Sequence, residues 1–316
     1  MDLQHNFPFS ASSKHHDLEE LLRIRGPEEP AGFKAFWEEN YALVTAMRPT
    51  YFIEREVWSP YPDVRIYRIR VKNWDNTEFV MFIARPDQSR GGLLIGQEYG
   101  HFVLPQFRSG FTTGFACVRG LGLSSCKEIP WDAERHIVHG IRMKETYILR
   151  GAVADQWMAA GVLLDMFPDT AENLNYSGCG MGGGMGALLL PWDKRFRAAF
   201  LALPSFGAEI RFDRPSSGSE EACRQYLAGH PPARKVLAWF DASAAAKYIR
   251  IPVGISLAVS DPCVAPAGQF SIANAVPDAY KTLFIRETGH CPPAEHDLRL
   301  ERQADEWCEK LFSAGK

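Results

Sequence analysis

The sequence predicts an α/β protein with a mostly parallel central sheet, helices on both faces and an antiparallel N-terminal part. Short apolar runs of the buried-strand type alternate with helical patterns over about two hundred residues, which is typical of a parallel sheet covered on both faces. Ahead of them lie stretches of alternating polarity, which are typical of antiparallel strands. We therefore divide the chain into an N-terminal extension with a clamp helix at 1–48 and an α/β domain at 49–316.

Two helices are predicted in the extension. A short helix at 17–24 ends near Gly26 and Pro27, which are poor helix residues. An amphipathic helix follows at 32–47, where aromatic residues recur at spacings of three and four and so share one face: Phe33, Phe36, Trp37 and Tyr41. We expect this helix to be clamped on the core.

The remaining elements follow in order along the chain. Antiparallel strands are predicted at 53–58, 64–71 and 79–84, with a hairpin loop at 73–76. Parallel strands are predicted at 92–96, 114–118, 173–177, 198–203, 253–259 and 281–285. Helices are predicted at 147–167, 181–190, 243–247, 269–274 and 294–312, and a variable insert at 205–232.

The composition argues against several classes of partner and site. The chain has 35 Lys and Arg against 38 Asp and Glu, so no basic surplus indicates nucleic acid or an anionic membrane as a partner. Its 7 cysteines are scattered without a CxxC pair, which favours reduced cytoplasmic thiols over disulfides or a zinc knuckle. We expect neither a signal peptide nor a membrane span, because no apolar run reaches the ~20 residues that a spanning helix needs.

The most informative segment is a glycine-rich turn between the strand at 173–177 and the helix at 181–190. Gly178, Gly180 and Gly182 fit the frame of a nucleophile elbow, G-x-S-x-G, in which a catalytic side chain sits at the central position. That position is Gly180, which has no nucleophile. Gly178, Gly180 and Gly183 also match the dinucleotide pattern G-x-G-x-x-G, but the next strand ends without the acidic residue that holds a ribose, so we disfavour nucleotide binding.

Partners for a catalytic elbow occur downstream in the expected order. Asp261 directly follows an apolar strand, and His290 follows the last strand. Both would emerge at the carboxyl edge of a parallel sheet, next to the glycine turn. The order nucleophile, acid, histidine is that of a hydrolase triad on an α/β sheet.

Several co-linear segments resemble the acetyl xylan esterase / cephalosporin C deacetylase family, carbohydrate esterase family 7, which has the α/β-hydrolase fold. They are GFKAFWEE at 32–39, GFACVRGLG at 114–122, YILR at 147–150, SDPC at 260–263 with Asn274 beyond it, and GH at 289–290. The resemblance implies a small-molecule ester or acetylated sugar as substrate, no cofactor, no metal, and a cytoplasmic homo-oligomer.

Carried over position by position, the resemblance puts Gly180 at the site of the serine, Asp261 at the acid and His290 at the general base. Oxyanion donors would come from the backbone N–H of Met181 and from Tyr99. Leu121 and the pair Gln97-Glu98 also depart from the family pattern. Compared with the family pattern, the site keeps the acid and the histidine but has fewer polar side chains.

The missing hydroxyl leaves several alternatives open. Catalysis is impaired, or it proceeds by direct attack of water with His290 and Asp261 as base and orienting group. Cys179 is an alternative nucleophile, but at the position before the elbow its side chain is expected to point away from His290. A non-catalytic binding homologue is the other class of function. A metal site at His136 and His139 is disfavoured, because no third ligand is evident.

Overall fold

The computed structural model describes residues 17–99, 106–208 and 218–314. The strands are Thr50–Val57 (β1), Val64–Lys72 (β2), Glu78–Pro86 (β3), Gly92–Gly96 (β4), Thr112–Ala116 (β5), Leu174–Cys179 (β6), Phe196–Ala202 (β7), Val253–Ser260 (β8) and Lys281–Thr288 (β9). The helices are Leu18–Arg23 (α1), Phe33–Thr45 (α2), Ala133–Ile137 (α3), Ile148–Met166 (α4), Met181–Leu189 (α5), Gly218–Gly229 (α6), Arg234–Leu237 (α7), Ala242–Ala246 (α8), Pro266–Ala275 (α9) and Glu295–Ser313 (α10).

The strands form one sheet in the order β1-β2-β3-β5-β4-β6-β7-β8-β9. The pairs β1–β2, β2–β3 and β3–β5 are antiparallel. From β5 through β4 to β9, every pair is parallel. The predicted fold class, with its antiparallel N-terminal part, is therefore confirmed. The carboxyl ends of β4, β6, β8 and β9 meet at one edge, so the loops that follow them converge there.

The sheet buries side chains on both faces. Along β3, alternate residues enter two separate apolar clusters: Met81 and Ile83 join one, whereas Val80 and Phe82 join the other. Successive side chains of a strand point to opposite faces of the sheet, so both sets can be buried only if both faces are covered. The helical layers predicted on both sides are thus present.

One parallel strand is displaced from its prediction. β5 spans Thr112–Ala116 instead of 114–118. Thr112 and Thr113 are fully buried in it, and their hydroxyls are hydrogen-bonded, to Ser89 and to the carbonyl of Phe111 respectively. These partnered hydroxyls make the start of the strand polar, which is why the apolar pattern placed it two residues too late.

The predicted clamp helix is confirmed as α2. Gly32 precedes it with φ of +83°, a conformation that favours glycine. Phe33, Phe36 and Trp37 are buried, and the Trp37 indole N–H donates to the carbonyl of Trp239 at 3.0 Å. The helix thereby packs into the same apolar cluster as the sheet, and the domain boundary near residue 48 stays a prediction.

The predicted variable insert contains a helix. Residues 209–217 lie outside the described residues, as do 1–16 of the N-terminal extension. After residues 209–217 the insert continues with α6, which buries Cys223 and Leu227. In the described parts of the chain, no helix has both the length and the apolar character needed to cross a membrane.

Candidate active site

The glycine turn has the backbone geometry of a nucleophile elbow. β6 ends at Cys179, α5 begins at Met181, and Gly180 between them has φ of 51° and ψ of −117°. A residue other than glycine would be strained there by ~1–3 kcal/mol. The Gly180 N–H donates to the carbonyl of Ala202 at 3.0 Å, which ties the turn to β7.

Close packing explains the neighbouring glycines. A Cβ on Gly182 would lie 2.3 Å from the carbonyl oxygen of Gly96, and a Cβ on Gly178 would lie 2.5 Å from the carbonyl carbon of Gly182. Because α5 passes this close to β4 and β6, side chains at these positions would collide with backbone. The glycine pattern therefore has a packing cause that needs no nucleotide.

Asp261 and His290 meet at the predicted edge of the sheet. His290 Nδ1 lies 2.8 Å from Asp261 Oδ2, and the Asp261 side chain is fully buried. The backbone N–H groups of Cys263 and Val264 donate to Asp261 Oδ1 at 2.8 and 3.0 Å, and the Gln269 amide donates to Oδ2 at 2.9 Å. The carboxylate is therefore held in place, and it fixes the orientation of the imidazole.

The pKa of His290 reflects two opposing effects. Burial lowers the pKa of the imidazole, whereas the hydrogen bond and charge of Asp261, together with the charge of Glu98, raise it. The two carboxylates prevail, and the pKa of His290 lies above its ordinary value.

The other ring nitrogen of His290 faces the elbow. A Cβ built on Gly180 would lie 3.7 Å from His290 Nε2 and 3.8 Å from Glu98 Oε1, both ordinary contact distances. A hydroxymethyl group at residue 180 would therefore reach the imidazole. Glu98 is a site residue that sequence reasoning did not identify, because only its departure from the family pattern was visible.

The expectation for the side chain of Cys179 was wrong. Its Sγ, a carboxylate oxygen of Glu98 and a ring nitrogen of His290 all lie within 4.8 Å of one another. Burial raises the pKa of the Cys179 thiol well above its usual range, and the charges of Glu98 and Asp261 add to this shift. The thiol is thus close to the histidine but remains protonated at neutral pH, which makes it a poor nucleophile.

The oxyanion roles of Met181 and Tyr99 stay predictions. Met181 is the first residue of α5, so its backbone N–H has no partner within the helix. Tyr99 directly follows Glu98, and its hydroxyl is hydrogen-bonded to His136 Nδ1. The Tyr99 side chain is therefore engaged elsewhere, which leaves its backbone N–H as the group that can serve an oxyanion.

His136 belongs to a buried hydrogen-bond network and does not form a metal site with His139. Its Nε2 donates to the carbonyl of Arg119 at 2.8 Å, so its Nδ1 accepts from the Tyr99 hydroxyl. Burial lowers the pKa of His136 to about 4, which keeps the ring neutral in this arrangement. Both ring nitrogens are used, so the disfavoured metal site with His139 has no free ligand atom at His136.

Arg119 is a structural brace. Its guanidinium bonds Asp155 through Nε at 2.7 Å and Nη2 at 2.6 Å, and it also bonds Asp75. The side chains of Arg119 and Asp155 are 5% and 1% exposed, so this ion pair lies in the core. It connects the loop after β5 to α4, next to the backbone that holds His136.

Asp297 holds the loop that carries His290. Its carboxylate accepts from the backbone N–H of Glu287 at 2.8 Å and from the Thr288 hydroxyl at 2.7 Å, at the end of β9. It also accepts from the N–H of Ala294, at the start of α10. The histidine loop is thus closed at both ends by one buried side chain.

We expect Asp297→Ala to lower the free energy of unfolding by roughly 1–3 kcal/mol, because it leaves buried donors without an acceptor. Burial raises the pKa of Asp297, but the hydrogen bonds from Thr288, Glu287 and Ala294 outweigh it and lower the pKa. A depressed pKa in the folded state means that this stabilisation is present at neutral pH and is lost as the pH falls through that pKa. Urea denaturation at pH 7 and at acidic pH measures both effects.

The matched control for Asp297→Ala is Asp305→Ala on the same helix. The Asp305 side chain is 78% exposed and lies 3.7 Å from Arg108, so we expect little change in stability. Equal losses for the two variants would contradict the role given to Asp297.

The fold and the arrangement at the elbow define an α/β-hydrolase. Comparison with known families and structures supports this assignment and refines it. The acetyl xylan esterase (AXE1) family model matches residues 14–296, and the chain belongs to this family.

Solved structures agree on the fold. Acetyl xylan esterase 1 from Thermoanaerobacterium sp. JW/SL YS485 superimposes with a TM-score of 0.81 at 16% identity, over 96% of this chain and 99% of that one. Acetyl xylan esterase from Paenibacillus sp. R4 gives a TM-score of 0.77 at 18% identity, over 92% and 99%. Acylaminoacyl peptidase from Pyrococcus horikoshii gives 0.54 at 12% identity, over 84% of this chain and 50% of that one.

Proposed function

We propose that this chain hydrolyses small carboxylic esters of the acetyl type without forming an acyl-enzyme, with an activated water in place of the serine hydroxyl. His290, oriented by Asp261, is the group on which this activation depends. The observation that carries the proposal is the space at Gly180, which is bordered by His290 Nε2 at 3.7 Å from the Cβ position and held in elbow geometry.

The surrounding groups support hydrolysis. A carbonyl oxygen placed over the turn can accept from the backbone N–H of Met181, at the start of α5, and from that of Tyr99. A water in the space at Gly180 lies on the side of His290 that Asp261 does not occupy. Addition of this water to the acyl carbon, followed by loss of the alcohol, releases the acid and the alcohol directly.

The proposal is tested with p-nitrophenyl acetate and the full-length protein. We expect His290→Ala to lower the turnover by roughly 10²–10⁴-fold, the usual contribution of a group that activates a nucleophile. Intact-mass analysis of the acid-quenched reaction should show no acetyl adduct on the protein, because water attacks directly.

His296→Ala is the control for the histidine variant, because His296 is exposed on α10, six residues away in sequence. Its turnover should equal that of the unsubstituted protein. An acetyl adduct that disappears in Cys179→Ala would instead indicate a thiol route, and turnover that is insensitive to His290→Ala would contradict the proposal.

The second candidate function is non-catalytic binding of an acetylated sugar or other small ester. It is favoured by the absence of a nucleophilic atom at Gly180 together with the raised pKa of the Cys179 thiol. Absence of turnover above buffer, with calorimetric binding of an acetylated sugar, would support this candidate. The cytoplasmic location and the homo-oligomer stay predictions.

A further inference from the structure

Three different donor side chains converge above Gly180. A carboxylate oxygen of Glu98, the Sγ of Cys179 and a ring nitrogen of His290 lie within 4.8 Å of one another. They come from three separate places in the chain, the ends of β4, β6 and β9. Neither the elbow nor the acid–histidine pair requires a cysteine and a glutamate at this point, so the proposed function leaves both side chains unexplained.

The donor set is one that a zinc-like ion prefers. Thiolate, imidazole and carboxylate ligands bind Zn²⁺ in tetrahedral sites at ~2.0–2.3 Å, which places ligand atoms roughly 3.3–3.8 Å apart. The atoms of Glu98, Cys179 and His290 lie within 4.8 Å of one another, at most about 1–1.5 Å beyond these separations. Binding of the ion displaces the thiol proton.

The surroundings of the imidazole fit the same site. Nδ1 of His290 is bonded to the buried carboxylate of Asp261 at 2.8 Å, whereas Nε2 faces Gly180 and Glu98. In many metal sites, the ring nitrogen of a histidine ligand that does not bind the metal donates to a carboxylate. This hydrogen bond sets the tautomer and the orientation of the imidazole. Gly180 contributes no side chain, so within the part of the chain that the structure describes a fourth position remains open next to three protein ligands, as in catalytic zinc sites.

We propose that Glu98, Cys179 and His290 bind a divalent metal ion of the zinc type over Gly180, with water in the fourth position. This inference deepens the proposed function and rests on it for its catalytic consequence. The bound water loses a proton to solvent, and the resulting hydroxide adds to the acyl carbon of the ester. The bond from that carbon to the alcohol oxygen then breaks, the alcohol oxygen takes up a proton from solvent as it leaves, and the acid dissociates from the unchanged ion.

The site is tested by titrating Co²⁺ into the chelator-treated, full-length protein without substrate. We expect saturation at one equivalent, with a thiolate-to-cobalt absorption band in the near ultraviolet that Zn²⁺ displaces. Cys179→Ser should abolish this band, and Glu98→Gln should weaken cobalt binding at least ~10-fold, the usual loss for a perturbed metal site. The glutamine variant keeps the test valid if the serine variant does not fold.

Cys263→Ser is the matched control. Cys263 forms a second group of donor atoms with Asp261 and His290, a group that includes neither Glu98 nor Cys179. The band should persist in this variant. A band that survives Cys179→Ser, a band that requires Cys263, or the absence of a saturable band would each overturn the inference.

The result of the cobalt titration does not depend on the result of the ester assay. Cobalt bound through Cys179 in a protein without turnover would support the metal site and contradict the proposed hydrolysis. Turnover that depends on His290 in a protein that binds no cobalt would contradict the metal site and leave direct activation of water by the imidazole.

Discussion

Gly180→Ser should raise the turnover of p-nitrophenyl acetate by roughly 10²–10³-fold and produce an acetylated enzyme, because a working triad exceeds the remaining machinery by about this factor or more. Among the described residues, a Cβ at residue 180 meets no atom closer than His290 Nε2 at 3.7 Å, so the hydroxyl reaches the imidazole without displacing their backbone. The measurement is made with chelator present, so that the serine hydroxyl is tested without a bound ion.

The variant Gly180→Ala separates the gain in turnover expected from the serine hydroxyl from the effect of backbone strain at residue 180. Both substitutions place a side chain at φ of +51° and share its cost of ~1–3 kcal/mol, but only serine supplies a hydroxyl. We expect no gain of turnover from alanine. A folded serine variant that neither turns over faster nor becomes acetylated would show that the donors around the elbow no longer support acyl transfer.

Asp155→Ala should lower the free energy of unfolding by roughly 3–5 kcal/mol, because it leaves the buried guanidinium of Arg119 with a single carboxylate partner, Asp75. It also removes the acceptor of the buried Asn73 amide, which donates to Asp155 Oδ1 at 2.7 Å. Equilibrium urea denaturation followed by circular dichroism measures the loss.

The comparison variant for the buried pair is Glu19→Ala. Glu19 pairs with Arg23 at 3.1 Å, and both side chains are 77% exposed, so the expected loss is below ~1 kcal/mol. Equal losses in Asp155→Ala and Glu19→Ala would contradict the view that the Arg119 network holds the loop after β5.

The sheet and the outline of the site could be predicted because both depend on patterns local to each segment. Apolar runs located the strands, and Asp261 and His290 were assigned to one edge because each directly follows a strand. Spatial proximity then followed from the parallel topology, without knowledge of any side-chain contact.

The direction of a side chain at a turn is set by tertiary packing, which sequence patterns do not reveal. The Sγ of Cys179 lies close to both His290 and Glu98, which follow two other strands, and no pattern within β6 could indicate this. The helix α6 was missed because only Cys223 and Leu227 are buried in it, which leaves little apolar periodicity.

The bond between the Trp37 indole and the carbonyl of Trp239 joins residues that are 202 positions apart. On the ribosome, α2 emerges long before Trp239. The hydrogen bond between Trp37 and Trp239 therefore cannot form until residue 239 has left the exit tunnel. Trp157 on α4 is available earlier to Trp37 and Tyr41, but Trp239 and Phe240 complete the cover of the aromatic face only late in synthesis. Nascent chains released before that point should be the ones that chaperones capture through this face.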